Sequence, residues 1–139
     1  MADYAGDLSP QEAWAFLESE PSAILVDVRT QAEWNYVGIA DLAAVNRKPI
    51  FVEWQTFPEG RINDQFADQL SAQAPDQETA LLFLCRSGVR SAAAATLMTS
   101  LGYGQCYNIS EGFEGDPDTS RHRGTYNGWK VRGLPWIQG

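Results

Sequence analysis

The stretch Thr79-Ala80-Leu81-Leu82-Phe83-Leu84-Cys85-Arg86-Ser87-Gly88-Val89-Arg90-Ser91-Ala92-Ala93-Ala94-Ala95-Thr96-Leu97-Met98 decides the fold. Thr79 to Leu84 is a nearly continuous apolar run, the pattern of a central strand covered on both faces. Ala92 to Met98 has strong helix composition, and Gly102 suits the stop just past its end. The loop between them carries a cysteine, two arginines, two serines and a glycine, a composition that fills no core. A strand passing through such a loop into a helix is half of a parallel α/β unit.

Outward from this stretch the same alternation continues. Ala23 to Val28 is a second β-branched apolar run, and Gln105 to Ile109 resumes strand character. Ser9-Pro10-Gln11-Glu12 predicts a helix start, because Ser9 and Glu12 can form a capping box and proline suits the first helical position. Trp14, Phe16 and Leu17 would form its buried side, and Pro21-Ser22 ends it. Thr30 and Glu33 repeat the capping-box signature before a short helix carrying Trp34 and Tyr36, closed by Gly38. Leu42 to Val45 and Ile50 to Val52 are each expected as a short strand, and Asn63 as the N-cap of a helix through Phe66, Ala67 and Leu70 that stops before Pro75. No repeat, low-complexity tract or linker interrupts residues 1–139. The expectation is one α/β domain with a largely parallel central sheet flanked by helices.

Composition narrows the function classes. The chain has 139 residues with 18 Asp and Glu against 10 Lys and Arg, a net charge of -8. Nucleic-acid binding needs a cationic face that releases counterions, so no nucleic-acid partner is expected. Charge is uneven: residues 1–78 hold 14 acids and 4 bases, whereas residues 79–139 hold 4 acids and 6 bases. A local site for a small anion is thus compatible with an acidic whole. Two cysteines allow at most one bridge and no disulfide framework. No basic segment followed by an apolar run stands at the start, and Ala80 to Cys85 is too short to span a bilayer. A reducing, cytoplasmic setting without a membrane partner follows as the expectation, with cysteine serving chemistry more than structure.

Cys85 stands where α/β proteins bind ligands, beyond the carboxyl end of a strand and ahead of a helix. Unpaired amides and the positive end of the helix dipole favour an anion there, and a thiolate is such an anion. Arg86 and Arg90 add positive charge if they face the same space, and Gly88 lets the backbone curl so that amides point inward. Arg86, Ser87, Gly88, Val89 and Arg90 therefore read as a substrate-binding cradle around Cys85 as nucleophile. Cys106 lies inside a strand with no nearby cation or glycine loop and reads as a buried thiol.

On these residues the chain resembles a single-domain rhodanese of the thiosulfate sulfurtransferase family, over most of its length. The resemblance rests on Asp27-Val28-Arg29 with Glu33, on Cys85 to Ser91, and on Asn108-Ile109 leading to Glu111-Gly112-Phe113-Glu114-Gly115. It extends through His122-Arg123-Gly124 and Asn127-Gly128-Trp129-Lys130 to Gly133-Leu134-Pro135-Trp136. Many relatives place a histidine after the glycine corresponding to Gly38, where this chain has Ile39, a departure that bears on local packing. The resemblance implies a Cys85 persulfide that carries sulfane sulfur from a small anionic donor such as thiosulfate to cyanide, a thiol or a protein acceptor, with no metal or organic cofactor.

Two other readings stay open, a cysteine-dependent phosphatase and a non-catalytic rhodanese-like module that binds a partner. Cysteine phosphatases use a C-x5-R loop, and Cys85 to Arg90 is C-x4-R, one residue shorter. His122 lies between Arg121 and Arg123, which disfavour an imidazolium, so it is expected on the surface or packed in the tail. Asp27 is expected to order the neighbouring loop by hydrogen bonding. Arg29 and Glu33 are expected to form a local ion pair, and Trp129 and Trp136 to serve core and lid packing.

Overall fold

The computed structural model describes residues 3–56 and 59–138. In chain order the elements are β1 (Gly6–Leu8), α1 (Pro10–Ser19), β2 (Ile24–Asp27), α2 (Gln31–Tyr36), β3 (Ile39–Ala40), β4 (Ile50–Phe51), α3 (Phe66–Gln73), β5 (Leu81–Leu84), α4 (Val89–Ser100), β6 (Cys106–Ile109) and β7 (Trp136–Ile137). Five strands form a parallel sheet in the order β1-β6-β5-β2-β4, with β5 at its centre. A separate antiparallel pair joins β3 to β7, with Ile39 opposite Ile137 and Ala40 opposite Trp136.

The uninterrupted apolar character of β5 follows from burial on both faces. Leu81, Phe83 and Cys85 pack on one side with Phe66 and Leu70 of α3 and with Ala94, Ala95 and Met98 of α4. Leu82 and Leu84 point to the other side, against Ala13 and Leu17 of α1, Ile109, Phe113 and Trp129. Neighbouring residues of a strand face opposite ways, so one short segment supplies both cores.

Both expected capping boxes form. Ser9 Oγ accepts the Glu12 N–H at 3.1 Å, and a Glu12 carboxylate oxygen accepts the Ser9 N–H at 2.8 Å. Thr30 and Glu33 make the equivalent exchange at 3.3 and 3.1 Å. Each N-cap contributes about 1 kcal/mol to a helix that is otherwise short. Two expectations about the elements are corrected. Leu42 to Val45 is not a strand: Leu42 is buried, and Ala43–Val45 is a single 3-10 turn ended by Asn46 in the left-handed region at φ 57°. The cap of α3 falls at Gln65, two residues after Asn63, whose Oδ1 accepts the Gln65 N–H in a local turn before the helix begins. An asparagine that hydrogen-bonds two residues on makes such a turn as readily as a cap.

The expected Arg29–Glu33 pair does not form. Arg29 turns inward, is fully buried, and pairs with Asp27 at 2.7 Å. Glu33 is held instead by Arg90 of α4, through two bonds of 2.7 and 2.9 Å. The capping box fixes where the Glu33 carboxylate points, and α4 brings the guanidinium to it. Burial alone would raise the Glu33 carboxyl, but the Arg90 bonds and the Thr30 N–H outweigh it and hold the carboxyl down at about 2. A carboxyl depressed in the folded state stabilises the protein above its unfolded value, about 4.3, and that stabilisation disappears as pH falls toward the folded value. Comparing the melting temperatures of wild type and Glu33→Gln should therefore show a gap that is full above pH about 4.5 and shrinks steadily toward pH about 2. A gap constant across that window would mean that the pair contributes nothing.

Candidate active site

β5 ends at Leu84, whose carbonyl accepts the Val28 N–H of the neighbouring chain segment at 2.9 Å. The next residues turn sharply into α4, and a second loop braces the turn. The Cys85 carbonyl accepts the Phe113 N–H at 2.8 Å, and the Arg86 carbonyl accepts the N–H groups of Glu114 and Gly115 at 3.0 and 3.1 Å. Two glycines make this contact sterically possible. Gly88, at φ 107°, caps α4 and lies so close to Ser110 that a Cβ would strike its carbonyl oxygen. Gly112, at φ 69°, lies equally close to the Arg86 carbonyl. Both positions require the left-handed backbone that side chains resist.

Cys85 is 1% exposed and sits at the floor of this turn. The Gly88 N–H donates to Sγ at 3.1 Å, and Ser91 Oγ lies 3.2 Å from the sulfur. The six expected site residues are therefore contiguous but differ in what they face. Gly88 supplies the amide on the sulfur, and Ser91, which stands in the first turn of α4, joins the shell around it. Arg86 is exposed, Ser87 is half-buried and Val89 is 78% exposed at the rim.

A cavity of about 540 Å³ opens over the loop and is lined by Glu33, Arg86, Arg90, Glu114 and Arg123 among others. Three guanidinium groups there meet two carboxylates, a cationic excess in an acidic protein. Burial would lower the Arg90 guanidinium, but its Glu33 partner raises it, and Cys85 and Asp27 act in the same direction. Arg90 thus stays charged beside the sulfur while being fixed by Glu33. Arg123, whose Nη1 donates to the Gly115 carbonyl at 2.7 Å, reaches this cavity from the tail. No spacing in the sequence links Arg123 to the cysteine loop, and only the brace at residues 112–115 brings the two together.

The remaining candidates fall into structural roles. Cys106 is fully buried and burial raises its thiol. Asp27 is 1% exposed, with its oxygens taken by the Arg29 backbone and guanidinium, so it orders this turn as expected. The Arg29 guanidinium also donates to the Gly38 carbonyl at 2.8 Å and covers the Phe113 ring at 4.3 Å. His122 is exposed, its N–H bound to Asp118. Trp129 is fully buried, and its indole N–H donates to the Pro135 carbonyl at 2.7 Å. Trp136 is 38% exposed and covers the Lys130 ammonium at 4.0 Å. Ile39, at the position where the resemblance leads one to look for histidine, is a β3 residue paired with Ile137.

Comparison with known proteins agrees with this architecture. The family described as STR4 middle domain matches residues 5–139. An uncharacterized protein of Rickettsia conorii is 44% identical over 126 residues, covering 90% of this chain and 91% of that one. The thiosulfate:glutathione sulfurtransferase of Saccharomyces cerevisiae is 29% identical over 116 residues, 82% of this chain and 69% of the yeast protein. The crystal structure of Rv0390 from M. tuberculosis superposes with a TM-score of 0.89 at 46% identity, covering 98% of this chain and 99% of the other. A polysulfide-sulfur transferase homodimer from Wolinella succinogenes shares the fold, with a TM-score of 0.65 at 23% identity over 99% of this chain and 80% of its own. With its parallel sheet, its strand-to-helix cysteine loop and this match along nearly the whole length, the chain belongs to the STR4 middle domain family and is a rhodanese-like domain.

Proposed function

We propose that the protein is a sulfurtransferase that moves sulfane sulfur from a small anionic donor of the thiosulfate type to a thiophilic acceptor through a persulfide on Cys85. The observation that carries this reading is the Gly88 N–H directed at Sγ at 3.1 Å, in a C-x4-R turn at the carboxyl end of the central strand. A fixed donor at that point favours negative charge on sulfur and needs no reorganisation during reaction. The cationic excess of Arg86, Arg90 and Arg123 over the turn suits an anionic donor. The sulfurtransferase named among the relatives supports the same class of chemistry.

The reaction begins once the Cys85 thiol has given its proton to solvent. The thiolate electron pair attacks the outer sulfur of thiosulfate, forming a new S–S bond. The donor's own S–S bond breaks, and sulfite leaves with that electron pair. Cyanide or a thiolate then attacks the terminal persulfide sulfur, and the Cys85 thiolate is released. The transferred atom is passed by two displacements on sulfur, a covalent ping-pong scheme that uses neither metal nor organic cofactor. A protein thiol is a further acceptor of the same kind. The shorter C-x4-R loop weighs against phosphoryl chemistry, which cysteine phosphatases perform with a C-x5-R loop. Both cysteines are free thiols, which fits a reducing, cytoplasmic setting.

Incubation with thiosulfate followed by intact-mass measurement is expected to add one sulfur atom, removable by cyanide. An unchanged mass in folded, reduced protein would overturn the reading. Cys85→Ser should abolish thiocyanate formation, whereas Cys106→Ser should retain it, since Cys106 is sealed in the core. Retained turnover in the first variant, with loss in the second, would reverse the assignment. Gly88→Ala forces a Cβ onto the Ser110 carbonyl and displaces the amide that faces the sulfur. Loss of one such donor typically costs about 10²–10³ in rate, so initial rates of thiocyanate formation should fall by about that factor.

A further inference from the structure

The sulfur lies at one end of a chain of hydrogen bonds that runs across the sheet to its edge. Tyr4 donates to Asp7 Oδ1 at 2.8 Å, and Asn108 Nδ2 donates to the same oxygen at 3.0 Å. Ser91 Oγ donates to Asn108 Oδ1 at 2.5 Å, and Ser91 Oγ lies 3.2 Å from Cys85 Sγ. Ser91 is fully buried and Asn108 is 4% exposed, whereas Asp7 sits on the exposed edge strand.

Each link has a direction fixed by chemistry. A carboxylate only accepts, so Asp7 demands the NH2 side of the Asn108 amide. The amide oxygen is then left facing Ser91, and an amide oxygen also only accepts. Ser91 must therefore spend its one hydrogen on Asn108. Toward Cys85 it offers only a lone pair, which suits an S–H donor and opposes a thiolate. Burial and the bond to Asp7 raise the Tyr4 hydroxyl, so Tyr4 also remains a donor and leaves Asp7 in its accepting role.

We propose that Asn108, oriented by Asp7, is a positioning residue that holds the hydrogen of the Ser91 hydroxyl on its own Oδ1, so that Ser91 presents only a lone pair to Cys85 until that hydroxyl rotates. Rotation gives the thiolate a second donor beside the Gly88 N–H, while Asn108 Oδ1 loses its partner. One hydrogen thus serves either the amide or the sulfur. The charged groups around the cysteine loop are the Arg90–Glu33 pair of α4 and α2, the Asp27–Arg29 pair at the end of β2, Arg86 of the loop, and Glu114 and Arg123, which line the same cavity as Arg86, and none of them belongs to this chain of bonds. The proposal rests on Cys85 being the reactive sulfur, and it concerns how that sulfur is kept inactive.

The test is the ultraviolet absorbance of the thiolate recorded against pH in full-length Cys106→Ser protein, with Asn108→Ala and Asp7→Ala each added. On the acid side of the transition, Asn108→Ala is expected to raise the thiolate fraction about tenfold at a given pH, the effect of about one hydrogen bond to a charged group. Asp7→Ala, an exposed change that leaves the core intact, should act in the same direction by releasing the amide to flip. Both effects should vanish when Ser91→Ala is also present, because the chain acts through that hydroxyl. An unchanged titration in both variants would overturn the proposal. So would a shift that survives in Ser91→Ala, since that would be a direct effect of charge or packing. The measurement uses no sulfur donor, so it decides this point whether or not thiosulfate adds sulfur to Cys85.

Discussion

The site depends on two backbone segments being forced into contact. The turn after β5 and the loop after β6 cross with Gly88 against Ser110 and Gly112 against Arg86. No side chain fits at either crossing. Three hydrogen bonds from residues 113–115 to the carbonyls of Cys85 and Arg86 then brace the cysteine loop. Because those carbonyls are drawn outward, the Gly88 amide is left to face the sulfur. The parallel pairing of β5 with β6 sets the two loops side by side in the first place, so sheet register, loop contact and amide direction form one causal series.

Electrostatics follow the same geometry. The chain as a whole is acidic, yet three guanidinium groups line one cavity beside the cysteine loop: Arg86 from the loop, Arg90 from α4 and Arg123 from the tail. Arg90 is tied to Glu33 and so serves as a fixed charge. An exposed ion pair contributes little, but this one is mostly buried and joins α2 to α4 across the mouth of the site. The inward Arg29–Asp27 pair ties the bend after β2 to the Gly38 carbonyl, with Phe113 lying against its guanidinium.

What the sequence revealed is what depends on neighbours in the chain. Capping boxes at Ser9 and Thr30, the doubly buried run before Cys85, and the glycine turn into α4 all act over a few residues. Their spacing is the interaction. The partners of Glu33, Ser91 and Asp7 lie in other elements: Arg90 is 57 positions from Glu33, and Asn108 is 101 from Asp7. Arg29 and Glu33 are close in sequence and opposite in charge, yet the bend after β2 turns one inward onto Asp27 and the capping box holds the other toward Arg90. Proximity suggested a pair that the backbone forbids. The 3-10 turn at Ala43–Val45 was hidden for a related reason: a short apolar run carries too little periodicity to separate strand from turn.

The tail ends in two attachments of very different kind. β7 meets β3 through only two residue pairs, and Ile137 is 52% exposed. Trp129 is wholly enclosed, edge-on to Trp14 at 6.0 Å between ring centres. Amide exchange with deuterium would thus proceed in two tiers, the β3–β7 amides opening alone at small cost and the Trp129 amide opening with the core. Fraying that begins at the tail is arrested at the indole, and Arg123, which lines the cavity beside the cysteine loop, lies on the protected side of that stop.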